Sequence, residues 1–496
     1  MEKKNIVAVF MIVVLVIVAT AVYLRVTSPP PMRANVLAAD DRDFFTIVHE
    51  VISGAEKSVD VVLYQSRFYI RYPNSKSNVL ITDLADASNR GVKVRAVLEL
   101  AAWNIENSEQ NRDVWALLKD SGVEVYFDPI DRTSHSKLII VDGKYVVVGS
   151  SNWSYYSLDQ NYEANVVISS KRIADRFEEF FEGVIDESEE KYSAPLDQVT
   201  AREAMEVEGR YALIRDLPTS MAYDGDLIVG FIEFDGATVT VSESDLERLQ
   251  ALHPGFFEEA VEETLRILAR VGGNGVVSLE AIDIEKADTR QAMLAKLAEE
   301  TSYIKTMPEE KPAMEWTEAG RVLPVPNEEY VGEVNDLIES AKERVWVAML
   351  NAVYYTSTPN TARRERAEGE VPSYTNLIVD KLEEAARRGV DVRIVVDVGG
   401  RGTPSWGEDR LLEKLGQAGA GVYVDSPQTG LHAKLMIVDD DYTVLGSTNW
   451  TYHAVEENNE TSVIVESADL NDHYAEFIEA RIAEGTPYVA DVDAER

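Results

Sequence analysis

The feature that most constrains this chain is a long motif that it contains twice. Residues 135–153 read HSKLIIVDGKYVVVGSSNW, and residues 432–450 read HAKLMIVDDDYTVLGSTNW. The chain has only six histidines, and two of them open these motifs. A single His-x-Lys pair usually forms an exposed polar face of a strand, but two copies at one spacing indicate a shared function. The motif therefore predicts two related domains.

The sequence around the motifs is duplicated as well. Residues 44–64 and 330–350 each have the pattern of an amphipathic helix followed by a buried strand, and residues 84–100 and 382–398 each predict a helix that ends at Arg-Gly before a strand. Each half reads as a βαβα series that ends in a β-hairpin. This pattern predicts an α/β fold in which each half has a mixed, mostly parallel sheet flanked by helices.

At 496 residues the chain is long enough for about three domains. The segment between the repeats has no counterpart in either half, and its mixture of strand-like and helix-like runs predicts a small inserted α/β domain. The predicted arrangement is a membrane anchor or signal at 1–25, a linker at 26–39, a first repeated domain at 40–190, the insert at 195–325 and a second repeated domain at 326–496.

The N-terminus predicts a membrane segment. Residues 6–24 are almost entirely apolar, and as a helix they span about 28 Å, the thickness of the hydrocarbon core of a bilayer. Small residues at 19–21 also fit a signal-peptidase site, in which case the mature chain would be secreted. Lys3 and Lys4 precede the segment and Arg25 follows it, which favours a single-pass anchor with the large domains on the outer side.

Charge and composition exclude several classes of function. The formal net charge of −39 argues against the basic surface typical of non-specific nucleic-acid binding, and it also fits the solvated surface of a protein from a salty environment. The absence of cysteine excludes disulfides, thiolate nucleophiles and zinc–thiolate sites.

The motif predicts a polar cluster at one end of a hairpin. His135 and Lys137 share one face of a strand because side chains alternate along it. A two-residue turn at 142–143 would place His135 opposite Ser150, with Asn152 just beyond on the same face. The second copy places the equivalent set in the same way: His432, Lys434, Ser447 and Asn449.

The aspartates of the motif have a different predicted role. Asp142 lies about 23 Å along the extended strand from His135, so it cannot orient that histidine within the hairpin. We assign Asp142 and Asp439 a structural role at the turns, where they could pair with a basic group. The orienting carboxylates are expected further along the chain at Glu163 and Glu460, which follow the histidines of their halves at the same distance.

These residue types indicate phosphoryl transfer. Cleavage of a phosphodiester needs a nucleophile, a proton for the leaving oxygen and donors around the non-bridging oxygens. Two histidines supply the first two, lysine and asparagine supply the donors, and a carboxylate fixes the tautomer of each ring. No further cluster of histidines or carboxylates accompanies the motifs, so neither a metal nor a cofactor is expected.

The pattern His-x-Lys-x4-Asp-x6-Gly-Ser-x-Asn, present twice, resembles the phospholipase D superfamily, including its cardiolipin synthase-like members. The resemblance covers both repeated halves but neither the N-terminal segment nor the insert. It implies two domains related by a pseudo-two-fold axis, one shared active site and a phosphohistidine intermediate. Carried over to this chain, it makes His135 the favoured nucleophile, with both motif sets lining the site and Glu163 and Glu460 behind the histidines.

The resemblance leaves the substrate open between phospholipid and nucleic acid. An N-terminal anchor and aromatic, basic loops at 64–76 and 354–367 favour a phospholipid, acted on by hydrolysis or by transfer as in a cardiolipin synthase. The runs WSYYSLDQNYE and WTYHAVEENNE lack the Asp-x-Arg-Ser sequence usual in bacterial cardiolipin synthases and resemble the nuclease-like branch. A metal-independent nuclease for single strands is the alternative, and a non-catalytic binding module is disfavoured by the two intact motifs.

Overall fold

A computed structural model describes residues 32–69, 75–100, 104–129, 132–188, 315–398 except 361, 363, 365 and 368, and 404–489. Between 189 and 314 it describes only six short strands, so most of the predicted insert lies outside the described residues, as does the apolar segment 6–24. Within the described ranges, no helix has both the length and the apolar character needed to cross a bilayer.

The first half contains seven strands and four α-helices. Its strands are β1 (Ala34–Ala38), β2 (Ser58–Leu63), β3 (Lys93–Leu98), β4 (Glu124–Phe127), β5 (Lys137–Val141), β6 (Tyr145–Gly149) and β7 (Asn165–Ser169). Its helices are α1 (Asp43–Ser53), α2 (Lys76–Asn89), α3 (Ile105–Asp120) and α4 (Lys171–Glu187), with a π-helical turn at Tyr156–Gln160.

The second half repeats this order. The short strands between the halves are β8 (Gln198–Val199), β9 (Glu206–Val207), β10 (Arg210–Tyr211), β11 (Met221–Tyr223), β12 (Asp226–Ile228) and β13 (Val277–Ser278). The strands that follow are β14 (Thr317–Ala319), β15 (Arg321–Pro324), β16 (Arg344–Met349), β17 (Asp391–Val396), β18 (Gly421–Val424), β19 (Lys434–Val438), β20 (Tyr442–Gly446), β21 (Ser462–Glu466) and β22 (Thr486–Pro487). The helices are α5 (Glu329–Ser340), α6 (Thr375–Arg388), α7 (Trp406–Gln417), α8 (Tyr452–Glu456) and α9 (Ala468–Glu484).

Each half forms an eight-stranded mixed sheet, with the orders β14-β1-β7-β6-β5-β2-β3-β4 and β15-β21-β20-β19-β16-β17-β18-β22. The prediction of a mixed sheet is confirmed, but the prediction that it is mostly parallel is wrong. Only β2-β3-β4 and β16-β17-β18 pair in parallel. Two helical crossovers in each half generate those pairs, whereas the hairpin and the strands beside it pair antiparallel.

The hairpin that carries the first motif has a longer turn than the sequence predicts. Val141 pairs with Tyr145, so residues 142–144 form a three-residue turn, and Asp142 adopts a positive φ of 57°. This register differs by one residue from the expected one. The predicted position of His135 opposite Ser150 is therefore wrong, and the corresponding prediction for His432 and its serine is wrong for the same reason, since Val438 pairs with Tyr442.

The motif aspartates stabilise these turns through the backbone. The carboxylate of Asp142 accepts hydrogen bonds from the backbone N–H groups of residues 56–58 at 2.7 to 3.2 Å. The carboxylate of Asp439 accepts from residues 342–344 at 2.8 to 3.2 Å. These contacts fit a structural role at the turns. The partners are backbone N–H groups at the start of β2 and β16, however, and not a basic side chain.

Two segments that the sequence assigned elsewhere belong to the sheets. β1 lies within the predicted linker at 26–39, yet it pairs with β7 over four residues. β14 and β15 lie at the end of the predicted insert, yet β14 pairs with β1 of the first sheet and β15 with β21 of the second. One continuous segment therefore joins the two sheets.

The two halves pack through a shared apolar core. Residues of both sheets contribute to it, among them Leu138 and Val148 of the first sheet and Leu435 and Leu445 of the second. Helices α4 and α9 complete this central layer, whereas α1–α3 and α5–α7 cover the outer faces of their own sheets. The facing arrangement brings the N-terminal ends of the motif strands β5 and β19 together.

Candidate active site

The two motifs meet through backbone hydrogen bonds between the halves. The His135 N–H donates to the carbonyl of Asn459 at 2.9 Å, and the His432 N–H donates to the carbonyl of Tyr162 at 2.8 Å. In each case the acceptor directly precedes a predicted orienting glutamate. The residues just before β5 are thus hydrogen-bonded to the segment that leads into β21. The residues just before β19 are hydrogen-bonded in the same way to the segment that leads into β7.

As a result, each motif histidine contacts the glutamate carboxylate of the other half. His135 Nδ1 lies 3.0 Å from the carboxylate of Glu460, and His432 Nδ1 lies 2.9 Å from Glu163 Oε2. Both glutamates are predicted site residues, but each contacts the histidine of the opposite half. The side chain of Glu163 is fully buried and that of Glu460 is 1% exposed, so both carboxylates act in a region shielded from water.

The motif serines support these carboxylates. Ser150 Oγ donates to Glu163 Oε2, and Ser447 Oγ donates to Glu460 Oε2, both at 2.5 Å. Sequence reasoning missed two further partners: Ser157 Oγ donates to Glu163 at 2.5 Å, and Asn458 Nδ2 donates to Glu460 at 3.2 Å. The residue equivalent to Ser157 in the second half is Ala454, so the duplication gave no signal for Ser157, whereas Asn458 is repeated as Asn161 in the first half.

The lysines lie beside the histidines in both halves. Lys137 Nζ donates to the carbonyl of His135 at 2.5 Å, and Lys434 Nζ donates to the carbonyl of His432 at 2.6 Å. Burial holds the pKa of Lys137 well below its usual range, and the charge of Lys434 lowers it further. Burial lowers the pKa of Lys434 to about 8. A bound anion favours the ammonium form of both side chains, so together they can form an anion-binding site.

Burial also controls the histidines. It lowers the pKa of His135 to about 4, although Glu460 acts in the opposite direction. It lowers the pKa of His432 as well, against the effect of Glu163. Burial acts to raise the pKa of Glu163, but the field of His432 and its hydrogen bond outweigh this effect and lower it. Without a bound anion the neutral imidazole is therefore favoured at neutral pH, as a nucleophile requires.

The motif asparagines have unused hydrogen-bonding capacity. Asn152 and Asn449 are both buried, and the side-chain oxygen of each has no hydrogen-bond partner. Buried polar atoms without partners are rare in folded proteins. Their amide groups can turn to donate to the oxygens of a bound phosphoryl group.

The two halves of the site are not identical. The Tyr64 ring packs edge-on against His135 at a centroid distance of 4.5 Å, and Lys137 Nζ lies 4.6 Å from the centre of the same ring. The equivalent residue of the second half is Leu350, since Tyr64 and Leu350 both directly follow the corresponding strands β2 and β16. Tyr64 opens the aromatic, basic loop at 64–76, and its contact with His135 distinguishes the surroundings of the two rings.

The arrangement can bind a phosphodiester between two imidazoles and two ammonium groups. A ring whose Nδ1 is held by a carboxylate has its Nε2 available for attack on phosphorus or for proton transfer. Within the described ranges, no group of three or more histidine, aspartate or glutamate side chains is arranged to hold a metal ion.

Comparisons with known proteins cover both repeated halves. The family model described as "Cardiolipin synthase, PLD-like domain" matches residues 48–185 and 334–482, which together are more than half of the chain. Each matched segment contains one motif together with its glutamate.

Curated relatives match shorter stretches. A phospholipase D of Rickettsia prowazekii (strain Madrid E) is 26% identical over 113 residues, 23% of this chain, and the match spans 53% of the Rickettsia protein. A probable cardiolipin synthase of Bacillus subtilis (strain 168) is 28% identical over 143 residues, 29% of this chain and 27% of that protein. Among solved structures, phosphatidylserine synthase of Haemophilus influenzae Rd KW20 aligns over 92% of this chain and 89% of its own, with a TM-score of 0.49 and 12% identity.

Proposed function

The chain belongs to the family of cardiolipin synthase, phospholipase D-like domains, and on that premise we propose that it cleaves or transfers the phosphodiester of a phospholipid through a phosphohistidine intermediate. The observation that carries the proposal is the crossed pairing of each motif histidine with the buried glutamate of the other half. This pairing supports one shared site for both imidazoles, in which a single phosphorus would lie between them.

His135 is the proposed nucleophile. Its lowered pKa keeps the ring neutral at neutral pH, and Glu460 binds the proton on Nδ1, which leaves the lone pair of Nε2 free to attack. As the N–P bond forms, the ring becomes positively charged, and the Glu460 carboxylate at 3.0 Å stabilises that charge.

His432 is the proposed general acid. When Nε2 of His135 attacks, the P–O bond to the leaving alcohol breaks, and His432 gives its proton to that oxygen. A bound phosphodiester is an anion, so it favours the protonated ring that this step needs. His432, now neutral, then takes a proton from water or from an acceptor alcohol, whose oxygen attacks phosphorus and releases His135.

The donors around the phosphorus complete the proposed site. Lys137 and Lys434 neutralise the non-bridging oxygens, and Asn152 and Asn449 donate to them, while Ser150 and Ser447 hold the glutamates in place. Water as the acceptor gives a phospholipase D reaction, and the hydroxyl of a second lipid gives a phosphatidyltransferase reaction of the cardiolipin synthase kind.

The proposed site of action is a membrane surface. The apolar segment 6–24 is the proposed anchor, and the charge distribution around it supports an outward-facing catalytic domain. A single-pass anchor would keep the site close to a lipid substrate at high local concentration.

The test is turnover of phosphatidylglycerol in detergent micelles by the purified full-length chain, with EDTA present throughout. Phosphatidic acid with glycerol reports hydrolysis, and cardiolipin with glycerol reports transfer. The matched controls are His135→Ala and His432→Ala in the same micelles. Absence of turnover across anionic and zwitterionic phospholipids, together with degradation of single-stranded DNA under the same conditions, would refute the lipid assignment in favour of a nuclease.

A further inference from the structure

Two residues outside the motifs, Asp41 and Asn327, form the same pair of hydrogen bonds with the backbone of the orienting glutamates. In the first half, the Asp41 N–H donates to the carbonyl of Glu163 at 3.2 Å, and the Glu163 N–H donates to Asp41 Oδ1 at 2.8 Å. In the second half, the Asn327 N–H donates to the carbonyl of Glu460 at 3.2 Å, and the Glu460 N–H donates to Asn327 Oδ1 at 2.8 Å. We call this pair of hydrogen bonds the clasp.

Both clasp residues occupy the same place in the fold. Each lies three residues beyond an edge-side strand, β1 in the first half, which pairs with β7, and β15 in the second, which pairs with β21. Each also lies two residues before the first helix of its half. Both have positive φ angles, 45° at Asp41 and 50° at Asn327. Aspartate and asparagine are among the non-glycine residues that tolerate this conformation best, and their side chains can also accept a hydrogen bond from a nearby backbone N–H.

We propose that Asp41 and Asn327 are positioning residues for the proposed reaction: the clasp fixes the backbone of Glu163 and Glu460, and through them the orientation of His432 and His135. The effect passes from one half to the other, because Glu163 binds His432 and Glu460 binds His135. A change at Asp41 therefore acts on the histidine of the second half, and a change at Asn327 acts on that of the first.

The two clasps differ in charge, and this difference favours protonation of His432 more than protonation of His135. Asp41 can carry a negative charge, whereas Asn327 is neutral. Burial raises the pKa of Asp41 to about 6, so the carboxylate is ionised at neutral pH and adds a negative charge next to Glu163. That charge favours the protonated form of His432, the proposed general acid. Titratable and charged groups from three elements face Asp41. They are Asp40 and Arg42 on its own segment, Arg481 and Tyr474 of α9, and Tyr162 and Glu163 before β7. Asp40 also forms a hydrogen bond with His473.

The first test uses alanine. Asp41→Ala and Asn327→Ala each remove an acceptor from a glutamate N–H, and we expect kcat to fall about 10- to 100-fold with little change in KM. Asp41→Asn, which copies the clasp of the other half, should recover most of the loss. Asp43→Asn is the control, because it removes an exposed charge two residues away that takes no part in the clasp.

The second test does not depend on turnover. In full-length chain labelled with 15N-histidine, Asp41→Ala should shift or broaden the ring signals of His432 and leave those of His135 in place, and Asn327→Ala should do the reverse. A role confined to local folding would disturb the nearest residues of the same half instead. If either alanine variant does not fold, the isosteric variants decide the question.

The isosteric variants test the charge. Asp41→Asn removes a negative charge near His432, so the imidazolium becomes less favourable and the basic limb of the pH dependence of kcat should move about half a unit toward lower pH. Asn327→Asp should raise the pKa of His135 by a similar amount, measured from its 15N signals. Wild-type kcat in both alanine variants, or unchanged histidine signals in all four, would overturn the inference.

This inference rests on the proposed function, and the two tests fail separately. If the wild-type chain does not turn over phospholipid, the proposed function is wrong, but the crossed response of the histidine signals still tests the clasp. If phospholipid is turned over and the signals do not respond, only the clasp is wrong.

Discussion

Replacement of Glu460 by glutamine tests the crossed carboxylate directly. Glutamine has the shape of glutamate and keeps an oxygen that can accept from Nδ1 of His135, so the substitution removes the charge and little else. Because Glu460 is 1% exposed and its carboxylate lies 3.0 Å from the ring, no water compensates for the loss. The variant isolates the electrostatic contribution of one half to the histidine of the other.

The size of the effect follows from Coulomb's law. A full positive charge on the ring, about 4 Å from the centre of the carboxylate, is stabilised by about 4 kcal/mol at an effective dielectric constant of about 20. If about half of that charge has developed in the transition state, about 2 kcal/mol is lost. A loss of about 2 kcal/mol lowers kcat about 30-fold, and a loss of the full 4 kcal/mol lowers it about 1,000-fold. We expect the measured decrease in kcat to lie between these limits. KM should change little, because the ring is neutral before the attack.

The assay is turnover of phosphatidylglycerol in micelles at saturating substrate, with kcat and KM determined separately. Glu457→Gln is the matched control, since Glu457 forms a hydrogen bond of 2.7 Å with His453, a half-exposed histidine outside the site. A Glu460→Gln variant whose kcat lies within about threefold of the wild type would refute the reasoning that the carboxylate of the second half stabilises charge on His135.

Three further predictions follow from the same structure. His432→Ala should abolish phospholipid turnover, and a phosphodiester with a leaving group that needs no proton, such as p-nitrophenol, should regain part of the rate of bond cleavage; equal loss on both substrates would argue against a general-acid role. The value of kcat/KM should decrease as the pH falls through about 4, where His135 becomes protonated. It should also decrease on the alkaline side once His432, whose pKa burial holds below that of an ordinary histidine, loses its proton. A kcat/KM that keeps rising above neutral pH would contradict this. Asp142→Ala leaves the N–H groups of residues 56–58 without their acceptor, so chemical denaturation should report a loss of about 1–3 kcal/mol, with an unchanged free energy of unfolding as the contrary result.

Repetition made much of the fold predictable from the sequence. Two copies of a hydrophobic pattern indicated two α/β halves and the order of the central helices and strands in each, and the family model matches both halves. The direction of the strands was less predictable, because a strand pattern is the same whether its neighbour is parallel or antiparallel. β1 and β14 were missed since each is short and follows a segment rich in polar residues or proline.

The site was predictable in its members but not in its connections. Histidine, lysine, serine, asparagine and glutamate recur at equal spacing, so their identities followed from the repeat alone. The crossing of Glu163 to His432 depends on how the two sheets face each other, which no local pattern encodes. The register differs by one residue because residues 142–144 form a three-residue turn in place of the two-residue turn that Asp-Gly usually favours. A positive φ at Asp142 fits both turns, so the turn sequence did not reveal the difference.

The exchange of carboxylates between the halves also has a consequence for biosynthesis. His135 is synthesised long before Glu460. A nascent or prematurely terminated polypeptide therefore contains the proposed nucleophile without the carboxylate that orients it. Chemical competence then arises only after the C-terminal portion has been made and docked. An unfinished chain of the proposed enzyme would therefore lack phosphodiesterase activity until both halves are in place.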